Sequence, residues 1–227
     1  MRVATGNGVL DAFLDGGLDS GCITTVYGPA GAGKTNIALL STVGVVRSGK
    51  KVIYIDTEGG MSVERLTQIA PDHEHILKDV IFYKPTTFKE QEEAFSKLRS
   101  GTNVGLIVVD SVAMLYRLEL NPKDAPEVNR AMGKQLALLT EIARKKDIPI
   151  LITNQVYALF DSRDKIQMVG GDLLRYASKC LIELQITPNA RRAVLKKHRS
   201  MPAEKIMNYA IVNSGIVEVK EKRFSLF

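Results

Sequence analysis

The sequence predicts an α/β fold in which a mostly parallel sheet is covered by helices on both faces. Up to residue 154, apolar segments of strand length alternate with segments of helical periodicity. Each strand candidate is almost continuously apolar, as expected of a strand buried on both faces. The rest of the chain carries consecutive strand patterns separated by turn signals, which predicts an antiparallel extension of the same sheet.

The predicted elements follow one another in a regular order. The expected parallel strands are Ile23–Tyr27, Lys51–Asp56, Val80–Tyr83, Val104–Asp110 and 148–154. The expected helices cover 34–47, 63–70 and 89–98, and a long helix carries Val128, Met132, Leu136, Leu139 and Ile142 at steps of three and four. After Gly171, the stretches "KCLIELQI", "RRAVLKKH" and "NYAIVNSGIVEV" predict the antiparallel strands.

Length and composition favour one soluble domain over residues 1–227. The chain has 227 residues, 45% of them hydrophobic, and a net charge of +6. That mild positive charge permits a polyanionic partner without requiring one. Cys22 and Cys180 lie in apolar surroundings without metal-binding spacing, which predicts reduced thiols and a cytoplasmic protein. We find no signal peptide and no apolar run long enough for a transmembrane helix, so no membrane partner is expected.

The segment "GPAGAGKT" has the P-loop pattern, with a predicted strand before it and a helix after it. Glycines allow successive backbone N–H groups to converge on phosphates at a helix N-terminus. Lys34 is predicted to reach the β- and γ-phosphates of ATP, and Thr35 to hold Mg²⁺. The predicted nucleotide-binding residues are Gly28, Pro29, Ala30, Gly31, Ala32, Gly33, Lys34 and Thr35.

Polar side chains at the ends of neighbouring strands predict the remaining chemistry. Asp110 ends "LIVVD" and is the expected second Mg²⁺ ligand. Since Ser111 follows it, the residue that activates water must come from elsewhere. Of the two acids in "YIDTEGG", we favour Glu58, because Asp56 can end the strand and cap the turn. Gln155, after "ILITN", is either a sensor of the γ-phosphate or an amide satisfied in a turn.

In their order along the chain, these segments resemble the RecA-like recombinases of archaea and eukaryotes. The resemblance also uses "VGGDLLRYASK" and "KKHRSMP" and covers essentially the whole chain. It implies a RecA-like P-loop ATPase core, with Glu58 activating water and Gln155 leading into a DNA-binding loop. It further implies that Arg65 packs against adenine. The implied partners are DNA, single-stranded or branched, and recombination proteins such as the RadA recombinase or a junction endonuclease.

The sequence departs from the strand-exchanging members of that family. They carry a helical DNA-binding domain before the ATPase core, and a Phe-x-x-Ala tetrapeptide that docks one subunit on the next. Here the core is expected to begin almost at Met1, and no Phe-x-x-Ala occurs in the 227 residues. The stretch "YRLELNPKDAPEV" also lacks an arginine-rich DNA-loop signature. We therefore expect a recombination accessory protein with weak ATP hydrolysis, a possible homo-oligomer, and little strand exchange of its own.

A basic segment near the C-terminus has three interpretations. It contacts DNA phosphates, or reaches the nucleotide of a neighbouring subunit through residues 197–199, or forms a solvated hairpin. Its candidate residues are Arg191, Arg192, Lys196, Lys197, His198 and Arg199. A second candidate DNA contact is the segment 159–171, predicted to be a mobile loop, through Arg163 and Lys165.

Other classes of ATPase remain open from the sequence. One alternative is a ring-forming signalling ATPase of the KaiC type, for which the contact between subunits would be central. A small-molecule kinase is the other, but a kinase usually needs an arginine-rich lid. The lid-like segment 159–171 has a single arginine.

Overall fold

A computed structural model describes residues 1–121, 123–159, 162–188 and 190–219, without the side chains of residues 158–167. Its strands are β1 (Arg2–Val3), β2 (Leu18–Asp19), β3 (Ile23–Tyr27), β4 (Lys51–Asp56), β5 (Val80–Tyr83), β6 (Val104–Asp110), β7 (Ile150–Asn154), β8 (Val156–Leu159), β9 (Ser162–Met168), β10 (Ser178–Ile186), β11 (Arg191–Lys197), β12 (Lys205–Val212) and β13 (Gly215–Glu218). Its α-helices are α1 (Gly8–Phe13), α2 (Lys34–Arg47), α3 (Val63–Ile69), α4 (His73–Lys78), α5 (Phe88–Lys97), α6 (Met114–Glu119), α7 (Ala125–Lys146) and α8 (Gly171–Ala177).

One large sheet organises the described chain. Its nine strands lie in the order β13-β12-β11-β10-β3-β7-β6-β4-β5 within the described ranges. The six strands from β10 to β5 are parallel, and β11, β12 and β13 extend the sheet with antiparallel pairing. The predicted fold class, a mostly parallel sheet with a C-terminal antiparallel extension, is therefore confirmed.

Two hydrophobic cores lie on opposite faces of this sheet. Alternate residues of a strand point to opposite faces, so Tyr54 packs in the core beneath α2, whereas Ile53 and Ile55 pack in the core beneath α5 and α7. The long helix α7 contributes Met132, Leu136, Leu139 and Ile142 to the second core. The apolar periodicity read from the sequence therefore marks the face of α7 that is buried.

Segment 159–171 differs from its prediction. We expected a mobile loop, but β8 and β9 form an antiparallel pair that precedes α8. Strand β9 has the sequence SRDKIQM. Most of its residues are charged or polar, so hydropathy does not predict a strand there. A second, smaller difference is that β7 begins at Ile150, two residues after the predicted start.

The structure also bears on membrane association. Among the described residues, no helix combines the length and the hydropathy needed to span a bilayer.

Candidate functional site

The P-loop connects β3 to α2 at the carboxyl end of the parallel strands. Gly33 is the N-cap of α2 and has a φ of 104°, a conformation that glycine adopts without the steric cost of a Cβ. The Lys34 ammonium donates to the carbonyl oxygens of Gly28 and Pro29, each at 2.9 Å, and so closes the loop on itself. Burial lowers the pKa of Lys34, while the nearby charges of Glu58 and Asp110 oppose that shift.

Asp110 lies at the end of β6 with 2% of its surface exposed. Its Oδ2 accepts a hydrogen bond of 2.9 Å from the Tyr54 hydroxyl, and its Oδ1 accepts one from Thr153. Burial raises the pKa of Asp110, and hydrogen bonds from Thr153, Thr35 and Tyr54 only partly offset this effect. The carboxylate is therefore oriented, and its charge is stabilised by any cation that binds beside it.

The residues around Asp110 fit a magnesium ion. Mg²⁺ prefers oxygen ligands and is commonly held by one or two protein groups together with substrate phosphates and water. The Asp110 carboxylate and the Thr35 hydroxyl are oxygen groups of this kind, and Thr35 lies close enough to lower the pKa of Asp110. Among the described residues, no cluster of three or more His, Cys, Asp or Glu side chains forms a separate metal site. When bound, the ion would neutralise phosphate charge next to these two residues.

Glu58 follows β4 and is held by two neighbours. Its Oε1 accepts hydrogen bonds from the Ser111 hydroxyl and, at 2.9 Å, from the Gln155 side-chain amide. Ser111 is itself positioned by Thr57, whose hydroxyl donates to the Ser111 carbonyl at 2.7 Å and accepts from its N–H at 3.0 Å. The peptide bond between Asp110 and Ser111 is cis. Glu58, the predicted water-activating acid, and Gln155, the predicted phosphate sensor, are hydrogen-bonded to each other.

Asp56 has the structural role that we considered for it. Its two carboxylate oxygens accept hydrogen bonds of 3.2 Å from the backbone N–H groups of Gly60 and Met61. The side chain is 3% exposed and caps the turn that carries Glu58. This arrangement leaves Glu58 as the acid available to a reacting molecule.

Arg65 connects three elements near the P-loop. Its guanidinium donates to the Asn36 side chain at 2.7 Å, on α2, and to the carbonyl oxygens of Val212 and Asn213 at 2.8 and 3.1 Å. It therefore holds the turn between β12 and β13 against α2. Packing of adenine on this guanidinium remains a prediction.

The basic segment does not form one continuous patch. Arg191 and Lys197 are the first and last residues of β11, so about 20 Å of extended chain separates them. Arg191 lies at the P-loop, where its Nε donates to the carbonyl oxygen of Gly31 at 3.0 Å. Arg192 donates to the Asn208 side chain on β12 at 3.1 Å. These two arginines therefore belong to the nucleotide end of the strand.

The other end of β11 carries Lys196 and Lys197, whose side chains point to opposite faces of the sheet. Lys197 donates to the carbonyl oxygen of Arg175 at 2.8 Å, and Lys196 pairs with Glu204 at 2.6 Å. Partial burial lowers the pKa of Lys197, and the positive charges of Lys179 and Arg175 lower it further. We call Arg175, Lys179, Lys196 and Lys197 the lysine end.

His198 and Arg199 both contact the buried carboxylate of Asp19. The His198 side chain is 1% exposed, and its Nε2 lies 3.3 Å from Oδ2 of Asp19. Arg199 donates to the same oxygen at 2.9 Å, and Arg2 donates to Oδ1 of Asp19 at 3.3 Å. Of the predicted contact 197–199, only Lys197 therefore belongs to the lysine end. The Arg163 and Lys165 side chains lie outside the described residues, so their predicted role is open.

The roles of three residues of the site were not predicted from the sequence. Tyr54 and Thr153 orient Asp110 from within their strands, and Ser111 donates to Glu58. Tyr54 and Thr153 sit in apolar runs that we interpreted only as buried strands. A polar residue within an apolar strand segment could have indicated such a contact. The sequence does not show, however, which face of the sheet that side chain occupies.

Comparisons with known proteins agree with this geometry. The sequence profile of the Rad51 family matches residues 1–219. The DNA repair and recombination protein RadB of Methanococcus maripaludis strain C7 is 43% identical over 211 residues, covering 92% of this chain and 97% of that protein. RadB of Methanobrevibacter smithii is 39% identical over 226 residues, covering 95% of each chain.

A solved structure supports the same relationship. The crystal structure of a RadB recombinase superposes with a TM-score of 0.80 at 38% identity, covering 96% of this chain and 100% of the other. The chain belongs to the Rad51 family.

Proposed function

We propose that this protein is an ATP- and DNA-binding accessory factor in homologous recombination and repair. It hydrolyses ATP slowly, carries out little strand exchange by itself, and uses ATP mainly as a signal to its DNA-facing surface. Its relatives are named DNA repair and recombination protein RadB, and this name supports a role in recombination and repair. The RadA recombinase or a junction endonuclease would be its protein partners on this proposal.

The observation that carries the proposal is the hydrogen bond of 2.9 Å between Gln155 and Glu58. Gln155 lies between β7 and β8, so it connects the acid beside the nucleotide to the β8–β9 hairpin. A γ-phosphate and its attacking water would compete for these polar groups. Rearrangement of Gln155 would then change the position of the hairpin, as in other switches that order a segment around the γ-phosphate.

Each residue of the site has a defined part in hydrolysis on this proposal. Lys34 and the loop N–H groups bind the phosphates, while Thr35 and Asp110 hold Mg²⁺. Glu58 accepts the proton of the attacking water. Because Ser111 and Gln155 already donate to the same Glu58 oxygen, water must displace a donor or use the other oxygen. That competition supports slow turnover.

The lysine end supports DNA binding. Partial burial lowers the pKa of Lys197, and repulsion by the like charges of Lys179 and Arg175 lowers it further. A phosphate group bound between them would relieve that repulsion. Such contacts release counterions and make binding sensitive to salt.

A salt series tests the proposal. The affinity for single-stranded DNA would be measured with and without ATP for the parent, for Lys196→Ala/Lys197→Ala, and for Lys89→Ala/Lys97→Ala on α5 as a charge-matched control. We expect the first variant to bind about tenfold more weakly at low salt and to lose roughly 0.7 in salt slope per lost phosphate contact. The α5 control should match the parent.

Two results would contradict the proposal. Salt-insensitive binding that is equal in all three proteins would exclude the lysine end as a DNA contact. Robust homologous pairing by the isolated chain, or stable ATP-dependent hexamers that ignore DNA, would exclude the accessory role itself.

A further inference from the structure

Two side chains of the antiparallel extension contact the outer side of the P-loop. The Tyr209 hydroxyl, on β12, donates to the carbonyl oxygen of Ala32 at 2.7 Å. Arg191, on β11, donates through Nε to the carbonyl oxygen of Gly31 at 3.0 Å. Arg191 and Tyr209 are also directly opposite each other in the β11–β12 ladder. One cross-strand pair therefore binds two consecutive carbonyl groups of the loop.

These contacts influence where the loop's N–H groups point. In a trans peptide, the C=O and the N–H of the same unit point in opposite directions. Holding the Gly31 and Ala32 carbonyls towards the extension therefore directs the N–H groups of Ala32 and Gly33 away from it. The Ala32 N–H donates across the loop to the Pro29 carbonyl oxygen, with an N···O distance of 3.3 Å. Backbone N–H groups at a helix N-terminus bind anions, and Gly33 is the N-cap of α2.

The extension is packed tightly enough to act as a support. Tyr209 is fully buried, and burial raises its pKa, so its hydroxyl remains a protonated donor. A Cβ at Gly33 would come within 2.8 Å of the Ile211 side chain, and a Cβ at Gly28 within 2.4 Å of the Leu184 carbonyl oxygen. Strands β10 and β12 thus contact the loop directly, and the loop has little room to move towards them.

We propose that Arg191 and Tyr209 are positioning residues for the nucleotide phosphates and connect the P-loop to the lysine end through β11. This inference rests on the proposed ATP and DNA binding and adds the route that couples them. Lys196 and Lys197 lie at the far end of the strand that begins at Arg191. Coupling of this kind is reciprocal, so ATP strengthens DNA binding by the same factor by which DNA strengthens ATP binding.

The first test removes one hydroxyl group. Tyr209→Phe keeps the buried ring and deletes the donor to Ala32. We expect affinity for Mg-ATP and Mg-ADP to fall about fivefold, the factor that corresponds to one ordinary hydrogen bond. The dissociation constants are measured with a fluorescent nucleotide analogue by direct titration and by competition with unlabelled ATP and ADP.

Tyr116→Phe is the matched control. Tyr116 is also buried, and its hydroxyl contacts the Asn129 side chain, away from the P-loop. Both variants should lose a similar amount of thermal stability without nucleotide, whereas only Tyr209→Phe should lose nucleotide affinity. Equal nucleotide affinity in the two variants would overturn the inference.

Arg191→Lys separates geometry from charge. Lysine keeps the positive charge but cannot reproduce the planar Nε donor. We expect Arg191→Lys to bind nucleotide as weakly as Arg191→Gln. Full rescue by lysine would overturn the assignment of Arg191 as a positioning residue.

The coupling is tested by the ratio of DNA affinities with and without ATP. That ratio should exceed one in the parent and in Tyr116→Phe, and should approach one in Tyr209→Phe. A purely structural role of Tyr209 would leave the ratio unchanged and would overturn the inference. Absence of nucleotide binding by the parent would overturn the proposed function as well, so the two failures are distinguishable.

Discussion

The P-loop and the basic segment are both short motifs in the sequence. The structure keeps the residues of the first together and separates those of the second. Residues 28–35 stay together, because a P-loop binds through consecutive backbone groups within one turn. The charges of residues 191–199 separate, because β11 places Arg191 at the P-loop and Lys197 at the opposite end. His198 and Arg199 instead contact the buried Asp19. A contiguous motif therefore predicts a site well when the backbone does the binding, and poorly when side chains along a strand would do it.

The largest expected effect concerns the acid at the nucleotide site. Glu58→Gln should lower ATP hydrolysis by about 100-fold or more, because general bases typically contribute factors of this size. Nucleotide affinity should stay close to that of the parent. Phosphate release under single-turnover conditions measures the effect. The control is Glu64→Gln, an exposed acid on α3. Parent-like hydrolysis in Glu58→Gln would reassign the base.

Asp110→Asn should remove the dependence of nucleotide binding on Mg²⁺, with a loss of affinity on the order of tenfold or more in its presence. Without nucleotide the variant should be more stable than the parent at neutral pH. Burial raises the pKa of Asp110, so its charged form opposes folding above the unfolded-state pKa. Nucleotide titration with and without Mg²⁺ measures the first effect, and chemical denaturation without nucleotide measures the second. A destabilised variant that keeps its Mg²⁺ dependence would contradict this account of Asp110.

At the other end of β11, a smaller effect should follow from His198. Burial lowers the pKa of His198, against the attraction of Asp19 and with the repulsion of Arg2 and Arg199. Its Nδ1 accepts from the backbone N–H of Ser200 at 3.1 Å, which requires the neutral ring. The unfolded protein therefore binds a proton at this histidine before the folded protein does. The free energy of unfolding should fall as the pH drops below the ordinary pKa of about 6.5.

His198→Gln should flatten that dependence between about pH 7.5 and pH 5. Denaturation midpoints across this interval provide the measurement. His75→Gln, at an exposed histidine on α4, is the control and should keep the slope of the parent. An unchanged slope in His198→Gln would show that other groups set the pH response.

The sequence predicted which residues end the strands at the site, but not all of the side chains that contact them. Strand ends such as Asp110 and Asn154 were placed correctly because parallel strands bring their carboxyl ends to one edge of the sheet. The β8–β9 hairpin was missed because β9 is polar and lacks the apolar pattern on which the prediction relied. Tyr54 and Thr153 were missed because their contacts to Asp110 join different strands of the sheet.

The sequence by itself determined the α/β class, the P-loop, and the identities of Glu58, Asp110 and Gln155 as residues of one site. Local periodicity and short motifs are properties of neighbouring residues, so they can be recognised along the chain without a structure. Only the tertiary structure decided that Ser111 and Gln155 share one oxygen of Glu58, and that Tyr209 and Arg191 hold the outside of the P-loop. Tyr209 is 177 residues away from Ala32 in the chain, and no local pattern encodes such a contact.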